Sequence, residues 1–291
     1  MVRQIQAKKW KCGRRVITFD SPLVMGILNV TPDSFYADSR LPSADAAIQR
    51  GITLAQEGAA ILDIGGESTR PGATPLTVEA ECERILPVLT TLRAELPTLL
   101  LSVDTRHTRT AEIAIEAGAD IINDVSGCTP EEGMLHCVAQ SGAGYILTHA
   151  TGVAIADHEL NDPATCTPIV QQELLDAAYR AQAEGVAPEQ IQLDPGLGFA
   201  KSHAVSTQLL KDTAILAQLP YSLMIAASRK RFLGDLTGRT TPETRKGASI
   251  GAALFALSKG ANVVRVHDVR DTVDALRIFS LLTPSEDSSN V

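Results

Sequence analysis

The stretch "LAQEGAAILDIGG" (Leu54–Gly66) holds the junction that decides the fold. Apolar residues at helical spacing run up to Gly58, and a nearly continuous apolar run, "AILDIGG" (Ala60–Gly66), follows at once. A glycine at that point can take the left-handed backbone that stops a helix and turns the chain into a strand. The junction recurs as "AGAD" (Ala117–Asp120) before "DIINDVS" and as "KGAN" (Lys259–Asn262) before "NVVRVHD".

Outward from it, strand-like runs cover Leu23–Asn29, Ala60–Gly66, Leu99–Thr105, Asp120–Ser126, Gly144–Ala150, Ile191–Gly196, Ser222–Ser228 and Asn262–Asp268. Most are almost continuously apolar, as strands covered on both faces are, and strict alternation is missing. Helical spacing is clearest over Ala44–Glu57, Val78–Glu95, Thr108–Ala117, Pro168–Glu184, Val205–Leu219, Pro242–Lys259 and Asp271–Leu282. This alternation predicts an α/β fold, a (β/α)8 TIM barrel of the usual ~250 residues. A doubly wound open sheet is the competing arrangement, but its G-x-G-x-x-G fingerprint does not follow the first strand. The first 22 residues, "KWKCGRRVITFD" (Lys9–Asp20) especially, read as a short β-hairpin capping the lower mouth of the barrel. Residues 1–283 are expected to make one domain and 284–291 a disordered tail.

The chain has 291 residues, 44% of them hydrophobic, and a formal net charge of −8. That supports a large core and, without a Lys/Arg-rich block, argues against a nucleic-acid-binding surface. A local cationic cluster could still receive an anionic small molecule. Five cysteines (Cys12, Cys82, Cys128, Cys137, Cys166) never form a Cys-x-x-Cys pair, which points to free thiols in a reducing compartment. The N-terminus lacks the apolar core of a signal peptide, and no run reaches the roughly 20 apolar residues of a membrane helix. A cytoplasmic protein without membrane or nucleic-acid partners is expected.

The distinctive polar groups gather at the C-terminal ends of the strands: Asn29, Asp63, Asp104, Asn123, His149, Asp194, Ser228 with Lys230, and Arg265 with His267. Singly, each could be a helix cap or a satisfied core group. Together they imply one site, because a barrel brings all eight ends to one face. Asp104, Asn123 and Asp194 offer acceptors to a flat heterocycle with adjacent N–H donors, a carboxylate taking two parallel bonds. Lys230 adds a donor, and Arg70, Arg265, His267 and Asn29 suit an anionic leaving group.

The segments "GILNVTPDSF", "DIGGESTRPGA", "SVDT", "INDVSG", "LDPGLGFAK", "SRK" and "RVHDV" resemble, in order and spacing, the motifs of dihydropteroate synthase, over roughly Leu23 to Thr283. The resemblance implies condensation of 7,8-dihydropterin-6-ylmethyl diphosphate with p-aminobenzoate, giving 7,8-dihydropteroate and pyrophosphate. It implies that Asp104, Asn123, Asp194 and Lys230 hold the pterin. Asn29 would bind Mg²⁺ and, with Arg70, Arg265 and His267, the diphosphate. Phe35, Thr69, Arg70, Pro71, Phe199 and Ser228 would border p-aminobenzoate, and Asn29, Asp104, Lys230, Arg265 and His267 carry most of the chemistry. The loops "TPDSFYADSR" and "GGESTRPGATP" would close over the site as lids.

The chain departs from that family where "SFYADSR" puts Ala37 at an Asp position, with Asp38 one step later, and where "THATG" puts Ala150 at a Met position. A third change sets Ala226 and Ala227 before "SRK". These bear on substrate affinity and sulfonamide response. Two other readings stand beside the synthase: a noncatalytic or altered-specificity pterin-binding paralogue, and a methyltetrahydrofolate methyltransferase-type barrel, which would leave "TPDSF", "ESTRPG" and "SRK" unexplained. The resemblance also implies a homodimer, with the small-residue helix "GASIGAALFALSKG" (Gly247–Gly260) able to pack closely either on a partner or on its own barrel.

Overall fold

In the computed structural model, which describes residues 8–30, 44–67, 76–126, 128–150 and 161–282, the eight apolar runs form eight parallel strands. A hairpin of β1 (Lys9–Cys12) and β2 (Arg15–Thr18) comes first. The chain then alternates: β3 (Leu23–Asn29), α1 (Ala44–Gln56), β4 (Ile61–Gly65), α2 (Val78–Glu95), β5 (Leu100–Asp104), α3 (Thr108–Glu116), β6 (Ile121–Asp124) and α4 (Met134–Ser141). It continues with β7 (Gly144–Thr148), α5 (Cys166–Ala183), β8 (Ile191–Asp194), α6 (His203–Lys211), α7 (Thr213–Leu216), β9 (Ser222–Ile225), α8 (Arg231–Thr237), α9 (Lys246–Ser258), β10 (Val263–Val266) and α10 (Val269–Leu282). Pairing of β10 with both β9 and β3 closes the barrel in the order β10-β3-β4-β5-β6-β7-β8-β9. Gly58, Gly118 and Gly260 carry φ of 102°, 103° and 93°, the left-handed turns anticipated at the three junctions.

Two faces of each strand build two cores. Leu62 and Ile64 of β4 pack outward beneath the helices with Leu101, Val103, Ile122 and Leu193. At the bottom the inward residues are apolar, and Met25, Ile61, Leu100, Ile121, Ile146, Met224 and Val263 close around Trp10 and Cys12 of the hairpin. Trp10 is wholly buried and donates from Nε1 to the Gln190 carbonyl at 2.9 Å, so the hairpin plugs the lower mouth. One inward step higher several of these strands turn polar, as Ile61 gives way to Asp63, Leu100 to Ser102, Ile121 to Asn123 and Val263 to Arg265.

The helices differ from expectation in four places. The segment Val205–Leu219 divides into α6 and α7 at Asp212, whose carboxylate is drawn to Thr167 of α5 at 2.6 Å. The segment from Pro242 begins as a 3-10 turn, Pro242–Arg245, because the Arg245 guanidinium is turned back onto carbonyls upstream. Two short helices, α4 and α8, were not anticipated; neither has a side-chain cap to announce it. Residues 284–291, the expected tail, lie outside the described residues.

Candidate active site

Asp63 is the hub of the upper barrel. Its side chain is wholly buried, and Oδ2 accepts from Arg265 Nε at 2.5 Å and Asn123 Nδ2 at 3.0 Å, while Oδ1 accepts from Ser102 Oγ at 2.6 Å. Arg265 uses its other edge on Asp104, donating from Nη2 to Oδ2 at 2.6 Å. A single guanidinium thus bridges two carboxylates from β4 and β5. These bonds fix Asn123 so that its Oδ1, buried and without a partner among the described residues, remains an open acceptor. Asn29 lies beside them: a Cβ added at Gly65 would meet Asn29 Oδ1 at 3.9 Å and Asp104 Cβ at 3.5 Å.

On the far side, Asp194 is buried and takes the Gly196 N–H on Oδ1 at 2.8 Å. Lys230 donates to the Leu197 carbonyl and rests its ammonium 4.3 Å from the centre of the Phe199 ring. The turn that aims Lys230 is strained, since Arg229 before it has φ 58°. Three contacts hold it there. Arg229 forms a bidentate pair with Asp268 (3.1 and 2.7 Å), its N–H reaches Ser249 Oγ at 2.9 Å, and its carbonyl accepts from Arg245 Nη1 at 2.9 Å. Ser228 Oγ lies 2.9 Å from His267 Nδ1 and accepts the His267 backbone N–H at 3.1 Å, which joins the ends of β9 and β10.

Burial governs the protonation of these groups. It raises the Asp104 carboxyl to about 7, against the pull of Arg265 and with the help of the Asp63 charge. It raises Asp194 as well, Lys230 opposing. It lowers Lys230 to about 8, Asp194 opposing. Three carboxylates (Asp63, Asp104, Asp194) face two cations (Arg265, Lys230), so the mouth favours a ligand presenting N–H donors.

The structure therefore brings together Asn29, Asp104, Asn123, Asp194, Lys230, Arg265, His267, Ser228 and Phe199 at one end of the barrel. Phe35, Thr69, Arg70 and Pro71, with both lid segments and Ala37, lie outside the described residues. Arg265 gives Nε and Nη2 to acids, so its place is within the buried acidic cluster. His149 turns away: its Nε2 lies 2.6 Å from Glu173 of α5. Ala150 is buried behind the same strand end. Sequence reading named Asp63 only as a strand end; its signal is the inward parity with Ile61. Lys201, from "LDPGLGFAK", is buried behind the β8 loop and was assigned no role.

Comparison with known proteins agrees with this geometry. The pterin binding enzyme family matches residues 25–267. A dihydropteroate synthase of Synechocystis is 39% identical over 259 residues, covering 89% of each chain. The structure of Xanthomonas albilineans dihydropteroate synthase with 4-aminobenzoic acid superposes with a TM-score of 0.89 at 40% identity, covering 96% of this chain and 100% of that one. The same organism's enzyme in complex with 7,8-dihydropteroate gives a TM-score of 0.85 at 38% identity, covering 95% and 100%.

Proposed function

The chain belongs to the dihydropteroate synthases of the pterin-binding enzyme family, and on that premise we propose how its residues divide the reaction. The enzyme is a transferase. The amine nitrogen of p-aminobenzoate bonds to the exocyclic carbon of the pterin, the carbon–oxygen bond to diphosphate breaks, the amine loses a proton, and pyrophosphate leaves.

The observation that carries the assignment of residues is the buried cluster of Asp63, Asp104, Asn123 and Arg265 facing Asp194 and Lys230. Asp104, Asp194 and the open Asn123 acceptor take the ring N–H groups, and Lys230 donates to ring carbonyl or nitrogen. Fixing the ring matters because an electron-rich heterocycle can stabilise positive charge developing at its exocyclic carbon. The arylamine is nucleophilic when neutral, so it needs placement more than a base. Phe199 and Ser228 border its position, as do Phe35, Thr69, Arg70 and Pro71 by resemblance. His267, Arg265, Arg70 and Asn29 receive the diphosphate.

Among the described residues no group of three acidic, imidazole or thiol side chains could cage a cation. Mg²⁺ commonly takes one or two protein oxygens and completes its shell with phosphate and water. Asn29 Oδ1, at the rim beside Asp104, is the donor that would hold it. Bound there, the ion would neutralise charge on the departing diphosphate.

A homodimer is proposed through α9 and α10. Added Cβ atoms at Gly247 and Gly251 would meet nothing within 4 Å, and Phe255, Ile278, Leu281 and Leu282 are exposed on the same pair of helices. Ile278→Glu should give a monomer in size-exclusion chromatography with light scattering. A cytoplasmic location is proposed from the sequence; separately, no described helix is long and apolar enough to cross a membrane.

The deciding assay mixes pterin diphosphate, p-aminobenzoate and Mg²⁺ and follows pyrophosphate. Release together with dihydropteroate is expected, and Arg70→Ala should impair p-aminobenzoate use while leaving pterin binding nearly intact. Well-folded protein that binds pterin without releasing pyrophosphate would establish the binding-only alternative. In that event Ala37→Asp becomes the informative variant.

A further inference from the structure

Lys201 is a buried lysine that the reaction above does not use. Only 4% of it is exposed, and its Nζ donates to three backbone carbonyls: His149 at 2.9 Å, Gly196 at 3.1 Å and Phe199 at 3.1 Å. An ammonium has three protons and no acceptor, so the three carbonyls satisfy it completely. They belong to two different loops, one following β7 and one following β8.

Those loops meet at unusually close range. A Cβ added at Gly196 (φ +64°) would fall 1.8 Å from the His149 oxygen, so only glycine permits the approach. The approach brings the carbonyls of residues 149 and 196 to a common point, where two oxygen dipoles repel. The Lys201 ammonium lies between them and converts that repulsion into attraction. The segment so held is the one that positions Lys230: Leu197 supplies the carbonyl that receives its ammonium, and Phe199 the ring beneath it. Asp194 is tied into the same turn through the Gly196 N–H.

We propose that Lys201 is a positioning residue, a cationic clamp that draws the β7 and β8 loops together and so sets Lys230 and Phe199 in register for the pterin ring. The inference rests on the reading of Lys230 as a ring donor given above. Burial lowers Lys201 to about 7, the neighbouring Lys230 charge adding to the effect. An ammonium kept at that disadvantage is consistent with a job in the loops.

The test is Lys201→Met, with the pterin substrate titrated directly and in steady-state turnover. Lys230 contacts the ring before and during reaction alike. Its misplacement should therefore raise pterin KM and Kd by about tenfold while kcat stays within about threefold. A general loss of folded protein would instead lower kcat alone. In the cycle with Lys230→Met, the double variant should bind pterin no worse than Lys230→Met by itself. Unchanged pterin affinity in Lys201→Met, or losses that add in the double variant, would overturn the clamp. Should Lys201→Met fail to fold, Lys201→Gln, which keeps two N–H donors, is read the same way. Absence of pyrophosphate from the parent enzyme would count against the reaction alone, since the pterin titrations judge the clamp without turnover.

Discussion

Replacing Asp63 by alanine tests whether one buried carboxylate organises the whole site. The substitution strands three donors at once: Arg265 Nε, Asn123 Nδ2 and Ser102 Oγ, now 2.5, 3.0 and 2.6 Å from Asp63 oxygens. Asp63 is wholly buried and Arg265 only 16% exposed, so water cannot restore these contacts cheaply. Breaking a buried ion pair from one side costs about 3–5 kcal/mol. With an unfolding entropy of about 2.1 cal/mol/K per residue, a chain of 291 residues has roughly 0.6 kcal/mol/K, so the midpoint should fall by about 5–8 °C. Asp63→Asn is the control. Its amide can turn Nδ2 toward Ser102, whose hydroxyl can accept, and keep an oxygen for Arg265 and Asn123. Only charge is then lost, worth about 1–2 kcal/mol or roughly 2–3 °C. Differential scanning calorimetry gives both midpoints, and titration with the pterin substrate gives affinity. Alanine should weaken pterin binding far more than asparagine does, although Asp63 is assigned no contact with the ring. An alanine midpoint within about 2 °C of the parent, or equal pterin affinity in the two variants, would refute the hub.

Three other outcomes are expected. The pH profile of kcat/KM for the pterin substrate should be bell-shaped: Asp104, raised to about 7, keeps its proton and loses its acceptor role below that pH, and Lys230, lowered to about 8, loses its charge above it. The limbs belong to coupled groups. Even so, Lys230→Arg should carry the alkaline limb upward because a guanidinium stays charged, and a profile flat through neutrality would count against both assignments. Asn29→Ala should raise the Mg²⁺ concentration for half-maximal rate by about tenfold, the scale of a single ~1.4 kcal/mol contact, with pterin affinity in metal-free buffer little changed. Trp10→Ala should cost about 3–5 kcal/mol in a melting experiment and leave KM for both substrates alone, since Trp10 fills the opposite end of the barrel.

The strands were legible because a buried strand announces itself locally. Val263–Val266, Leu23–Asn29 and the other six were found within three residues of their ends from apolar runs alone. Helix stops at Gly58, Gly118 and Gly260 were equally local, each residue carrying its own conformational permission. Short helices were not. α4 follows Gly133 (φ 86°) without a capping side chain, and its existence depends on Met134 and Val138 finding the core.

By itself, then, the amino-acid order determined a parallel barrel, a polar rim at the strand ends, and the motifs that tie the chain to its family. Only the closed barrel decided which rim groups meet. Arg265 and Asp63 are 202 positions apart in sequence and 2.5 Å apart in space, because β10 closes beside β3 and so stands one strand from β4. Tertiary packing likewise turns His149 outward to Glu173 of α5 and carries the Lys201 ammonium to the His149 carbonyl. Periodicity is a property of neighbours along the chain and survives in the sequence. The pairing of charges across a barrel depends on closure, and no stretch of residues records it.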